Sequence, residues 1–491
     1  MKASNDVIIA GGGFAGLLTA AALVQRGFKV CVVEPHSPPP DVLRGELLHA
    51  RGVRTLRALG LAEAVERAGS VPVDGFAAFA PASSSPVVLP YRQGHGIGIE
   101  HRALVETLQR ELRASPNVEM VMGPRAADVI RQHGRIVGLR CAGGEELRAP
   151  VVIAADGRLS KLRKALGIPT SVELLSHTVA TSVRDVALPV PSHGHVFLGA
   201  PGPILAYPFG SHAIRVQLDI GIRAAKESGG LVPYLEAEYL PHVPASLRGA
   251  IREALHSRPL MASANHAIYT EFCVAPGAAL VGDAAGCSHP LTATGMTIAL
   301  HDAETLAANL ATHGLGDEAL LAYQKGRNAF VRARETFAHA LYEVFRGEEE
   351  GCRMLRDGVF DYWRSDRARR ASMDILTGEE SGMRAFVSEY LRVAFVSARR
   401  TLPATSIEPM ASMLMAAGRS MSFATDRALA RLATGRMRRL EPFPIDDAAP
   451  TLLPFDASRG SRRLRRLLRE HSRPQAPRAP REIVRERVLQ D

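Results

Sequence analysis

Unbroken apolar runs, each closed by glycine or an acid, recur at residues 7–10, 30–33, 151–155 and 278–281. Short runs without alternation describe strands buried on both faces, and residues 17–23 and 102–108 carry the period of helices that cover such a sheet. Residues 118–121 read as the strand that follows the second helix. Elsewhere the pattern alternates: 204–209 and 214–219 place apolar and polar residues on opposite faces. Together with 75–91 and the rest of 181–272 these stretches predict one antiparallel sheet packed over the first domain. Beyond 366 the period is helical. Met383, Phe386, Val387, Tyr390, Leu391, Ala394 and Phe395 form one stripe, and Met410, Met413, Leu414 and Phe423 a second. Such stripes serve either as core or as a greasy cover, for which methionine is well suited.

The turn after the first run carries chemistry. Gly11-Gly12-Gly13-Phe14-Ala15-Gly16 joins a strand to a helix, and a second strand ends in Glu34. In such a G-x-G-x-x-G turn Gly11 permits the tight bend, Gly13 admits a pyrophosphate against the backbone, and Gly16 lets the helix pack on the sheet. Glu34 stands where a carboxylate accepts from adenosine ribose hydroxyls and repels a 2′-phosphate, which suits FAD or NAD. A second acidic turn, Asp156-Gly157-Arg158, is followed by Ser160 and Arg163. There Asp156 orders a loop while Arg158 or Arg163 meets phosphates, or the segment is a capped turn with solvated arginines. A third turn, Gly282-Asp283, precedes Pro290, Gly295, Met296 and a long helical pattern. A helix N-terminus carries unpaired N–H groups and about half a positive charge, which suits an electron-rich ring.

These three pieces, in this order, resemble the flavoprotein monooxygenases with the aromatic-hydroxylase fold. Residues 289–300 (HPLTATGMTIAL) look like the H-P-L-T-G-G-G-M-T-V-A segment of one branch, squalene epoxidase and its bacterial relatives. Residues 44–48 (RGELL) look like its G-E-L-L segment, and 340–345 (ALYEVF), followed by Glu348–Glu350, resemble the start of its helical part. The resemblance covers roughly residues 5–365. It implies FAD as cofactor, NAD(P)H as co-substrate without a Rossmann domain of its own, and O2 activated at flavin C4a as a hydroperoxide. It also implies roles: Gly11, Gly13, Phe14, Ala15, Gly16 and Glu34 on ADP, Arg44 and Arg102 on pyrophosphate or ribityl, and Asp156 and Asp283 on FAD. Pro290, Gly295 and Met296 would face the isoalloxazine. His49, Glu46 and Phe76 are the candidate catalytic residues. The chain departs from the branch at His49, where the branch has Gln, at Phe76, where it has Tyr, and at Ala293 and Thr294, where it has two glycines. The branch's amino-terminal membrane segment is also missing. The acceptor therefore stays open between a squalene-like hydrocarbon and a prenylated quinone or quinolone.

The implied fold is α/β (α+β overall): a Rossmann-like FAD-binding domain with an inserted antiparallel β-sheet substrate domain and a C-terminal helical region. The expected boundaries are 1–72, 98–180 and 274–365 for the discontinuous flavin domain, 73–97 and 181–273 for the substrate domain, 366–450 for the helical region and 451–491 for a basic tail. Five scattered cysteines without a C-x-x-C argue against a zinc site or a disulfide framework, so no metal is expected. The net charge of +10 is uneven, and residues 456–491 hold 11 Arg against 5 Asp plus Glu. That tail is either solvated or a peripheral membrane contact. It has no aromatic residue after Phe455 for base stacking, and nucleic acid is not an expected partner. No apolar run reaches a membrane-spanning length, so the expected place is the cytoplasm or the inner membrane face. Two alternatives share the pattern, a flavin-dependent prenyl reductase and a non-catalytic prenyl-binding escort protein. A halogenase lacks support, because no W-x-W-x-I-P segment occurs and Trp363 is the only tryptophan.

Overall fold

The structure, a computed structural model, describes residues 5–221, 230–401, 408–435 and 439–443. The expected basic tail, 451–491, lies outside them. Four of the apolar runs enter one six-stranded sheet, in the order Val274–Ala275, Ala278–Leu280, Val151–Ala154, Val7–Ala10, Val30–Glu34, Val118–Met122. All pairs are parallel except the short hairpin at the edge. Val7–Ala10 and Val151–Ala154 are buried throughout, because helices Phe14–Val24, His101–Arg113 and Gly295–His313 pack around the sheet. Parallel strands need crossover connections, and here the crossovers carry the rest of the molecule.

The second sheet has seven strands, in the order Met261–Thr270, Thr170–Arg184, Ala213–Ile220, Ile204–Gly210, His193–Phe197, Gly75–Phe79, Val87–Pro90. The expectation of a purely antiparallel sheet fails at one place. Gly75–Phe79 pairs parallel with His193–Phe197, because the two strands arrive from separate excursions of the chain and share no hairpin. Thr170–Arg184 pairs with Met261–Thr270 from its first residue, so the chain enters this sheet ahead of residue 180. Its outer face is covered by helices Leu231–Glu238 and Ala245–Ser257 around Phe79, Val179 and Leu218. Its inner face meets the first domain and the long helix Asp317–Arg346.

The carboxy-terminal helices Glu350–Tyr362, Asp366–Thr377, Met383–Thr401 and Glu408–Gly435 close over Ala78, Leu89 and Val196 of the second sheet. Both apolar stripes split. Phe386, Tyr390 and Met413 are buried, whereas Leu391, Phe395 and Leu414 are exposed. Among the described residues, no helix is long and apolar enough to cross a membrane.

Candidate active site

A cavity of about 700 Å3 is lined by both sheets, with Ala10 and Glu34 on the first and Leu205 and Gln217 on the second. The strand Val7–Ala10 delivers Gly11 at φ +111°, where a side chain would overlap the Ala155 carbonyl. Gly16 packs the helix against Gly11 and stands behind the cavity wall, while Gly11, Gly13, Phe14 and Ala15 line it. Beside Gly13 a side chain would meet only open space, so backbone and helix N-terminus are bare to the cavity. Glu34 accepts from the Gly12 N–H at 2.7 Å and the His36 N–H at 2.9 Å. Each of its oxygens keeps acceptor capacity for a hydroxyl.

Cations gather beyond this turn. Arg44, Arg125, Arg158 and Lys161 all line the cavity. Burial, then the charge of Arg158, pull the Arg44 pKa below its ordinary value, with Asp283 opposing. A partly buried cluster of this sign suits a pyrophosphate. Arg158 donates to the Ala264 carbonyl at 2.9 Å and Ser263 Oγ at 3.0 Å, and its Nε lies 3.8 Å from Asp283 Oδ2. It thereby ties the second sheet to the Gly282–Ala285 turn. Arg163 has another role: buried behind the wall, it donates to the Ala284 and Arg158 carbonyls. Asp156 accepts from Ser160 Oγ and the Leu162 N–H, which orders the loop.

The Gly282–Ala285 turn is anchored from below. Asp302 Oδ2 accepts from the Gly282 N–H at 2.9 Å and pairs with Arg327, both side chains almost wholly buried. Pro290, Gly295 and Met296 line the cavity where the helix Gly295–His313 begins. His289 Nδ1 accepts from the Leu291 N–H at 3.2 Å, so Nε2 carries the proton toward Ser176 and Asp219. Ala293 takes a left-handed φ of +51°, a conformation that costs a side-chain-bearing residue roughly 1–2 kcal/mol.

Three expected site residues take unexpected places. Arg102 pairs with Glu106 on the exposed side of its helix and does not line the cavity. Its neighbour His101 does, donating through Nδ1 to the Gly45 carbonyl at 3.0 Å, as does Gln109, which donates to the Gly12 carbonyl at 3.2 Å. His49 is fully buried behind the wall. Its Nε2 donates to the Thr292 carbonyl at 2.9 Å, so Nδ1 accepts from the Tyr91 hydroxyl at 2.8 Å. Burial lowers its pKa to about 4. Glu46 is held by Arg215 at 2.7 and 2.8 Å and accepts from Tyr207 at 3.1 Å. Phe76 lines the cavity with its ring 5.7 Å from His49. Tyr91, which does not line the cavity, packs its phenol ring against His49 and Phe76 at 5.8 and 6.3 Å, and its place follows from the hairpin register of Gly75 opposite Pro90.

The model of squalene epoxidase matches residues 148–415, and that of lycopene cyclase protein matches 6–181. Squalene epoxidase 3 of Arabidopsis thaliana is 33% identical over 374 residues, 73% of this chain and 71% of the relative. The squalene epoxidase of Aspergillus fumigatus is 31% identical over 382 residues, 73% of this chain and 79% of the relative. The chain belongs to the squalene epoxidase family. As a member of it, the protein is an FAD-dependent monooxygenase. Solved structures agree on the fold. PqsL of P. aeruginosa, in complex with 2-aminobenzoylacetate, superposes with a TM-score of 0.64 at 24% identity, covering 70% of this chain and 97% of that one. The flavin-dependent brominase Bmp2 does so at 0.65 and 17%, covering 81% and 99%.

Proposed function

We propose that this protein uses NAD(P)H and O2 to epoxidise or hydroxylate a lipophilic isoprenoid-type substrate. The observation that carries this reading is a single cavity whose one part is bare glycine backbone with cations and whose other part is apolar sheet. Bound FAD supplies the acceptance of hydride and the activation of O2; the chain's own residues position and shield it. Gly11, Gly13 and the first helix N-terminus hold the diphosphate with Arg44, and Glu34 accepts from the ribose. Asp283 and the N–H groups of Gly295 and Met296 orient the ring end. Phe76, Leu205 and Leu291 exclude water, which protects the activated oxygen. His49 acts from behind the wall, where it fixes the Pro290–Thr292 turn, and Glu46, in the wall itself, fixes Tyr207.

The test is NADPH oxidation by FAD-loaded protein under air, with squalene and prenylated quinones offered in turn and products read by mass spectrometry. A +16 product that requires O2 is expected. A +2 product formed without O2 would establish a prenyl reductase instead, and ligand binding without NADPH consumption an escort protein. Exposed Leu391, Phe395, Leu414 and Met415 support a peripheral contact with a membrane surface. Co-sedimentation with anionic phospholipid vesicles, lost in Phe395→Asp/Leu414→Asp, is the expected result.

A further inference from the structure

The inner face of the second sheet is divided. Leu205 stands opposite Gln217 on one side and Val196 on the other. Next to them Phe76 is paired with Gly194, and its ring lies so close over Gly194 that a side chain there would meet it at 2.8 Å. This half is apolar. It continues past Phe76 and Leu291 into a narrow cavity of about 50 Å3 walled by Val196, Phe345 and Trp363. The other half carries an amide, Gln217, and a phenol, Tyr207, both lining the main cavity.

The orientation of that amide is decided by its neighbours. Arg215 pairs with Glu46 through two hydrogen bonds, so the carboxylate has only acceptor sites to offer. Tyr207 must then donate its hydroxyl proton to Glu46. The hydroxyl is left to accept, and Gln217 presents Nε2 to it at 2.6 Å. The amide oxygen is thereby turned away from Tyr207, and among the described residues no hydrogen bond reaches it. Gln217 is half-buried and faces the cavity, where water can reach this acceptor; a pure hydrocarbon filling the cavity would displace that water and leave the oxygen without a partner, which is unfavourable.

We infer that the substrate joins its apolar chain to a head group bearing an O–H or N–H donor, which Gln217 Oε1 accepts while the chain lies along Phe76, Leu205 and Leu291. This deepens the monooxygenase reading and rests on it for the chemistry, but not for the binding. A site built to accept a hydrogen bond discriminates against the analogue that cannot give one, here by about 10- to 100-fold in affinity.

The experiment titrates FAD-loaded protein with three probes, a farnesyl-substituted phenol, its methyl ether and squalene, and reads the flavin absorbance change as Kd. The phenol is expected to bind at least 10-fold tighter than the ether, which has the same chain and no donor. In Gln217→Leu that ratio is expected to fall to about one, with FAD content unchanged and squalene bound at least as tightly as before. Equal affinity for phenol and ether in the unaltered protein would overturn the inference, as would failure to bind the phenol or a ratio that survives Gln217→Leu. The two-ligand comparison on the unaltered protein stands even where the variant fails to fold. Selective binding of the phenol without O2-dependent turnover would leave the head-group site in place and remove the monooxygenase reading.

Discussion

Replacing Glu46 by Gln keeps the shape of the side chain and removes its charge. Arg215, with 8% of its side chain exposed, then keeps a buried guanidinium with no counter-charge. Breaking such a pair on one side costs about 3–5 kcal/mol, most of it the desolvation left uncompensated. With a urea dependence of about 3 kcal/mol per molar, the unfolding midpoint of Glu46→Gln falls by about 1 M or more. Arg215→Met strands the other charge and has a cost of the same order. The double variant removes both charges together, and its loss is expected to undercut the sum of the single losses by about 2 kcal/mol or more. The assay is urea unfolding of FAD-loaded protein, followed by flavin fluorescence and circular dichroism. Turnover should suffer through Tyr207 and Gln217 while the shape of its pH profile stays unchanged. Additivity of the two single variants within about 0.5 kcal/mol would refute the reasoning. So would an unshifted midpoint with turnover lost a hundredfold, because that is the signature of a proton-transferring carboxylate.

Three further outcomes are expected. His49 has a folded-state pKa of about 4 against an ordinary 6.5, so the unfolded chain takes up its proton first as pH falls. Its contribution is complete above pH 6.5 and is lost between 6.5 and 4, by up to about 3 kcal/mol, a slope that His49→Gln should flatten in unfolding measured across that window. Gly13→Ala should leave the melting temperature of FAD-free protein unchanged and weaken FAD binding at least tenfold, whereas Gly16→Ala, which meets the Gly11 carbonyl, should lower the yield of folded protein. Arg44→Ala should weaken FAD binding about tenfold and Arg102→Ala should leave it unchanged, as read by equilibrium dialysis; equal losses would put both arginines on the cofactor.

The features legible in the sequence are those whose physics is local. The run of Val7–Ala10, the glycines after it and Glu34 lie within one strand–turn–helix–strand unit, where burial and backbone sterics act between near neighbours. Asp283 and the helix start at Gly295 were legible for the same reason. Where a single residue of helical phase mattered, sequence reasoning failed: Arg102 and His101 differ by 100° around one helix, and only packing on the sheet turned His101 inward.

By itself, then, the sequence determined the glycine turn with its strand and helix, the Gly282-Asp283 turn before the helix at Gly295, and the existence of a second, alternating sheet. The tertiary structure decided what the remaining polar residues do. Glu46 meets Arg215 across 169 positions of chain, and His49 meets Thr292 across 243. Such pairs have no period or spacing to betray them. They arise because two sheets built from interleaved segments bring charges and rings together in a space that excludes water, and there each buried group must find a partner wherever the fold supplies one.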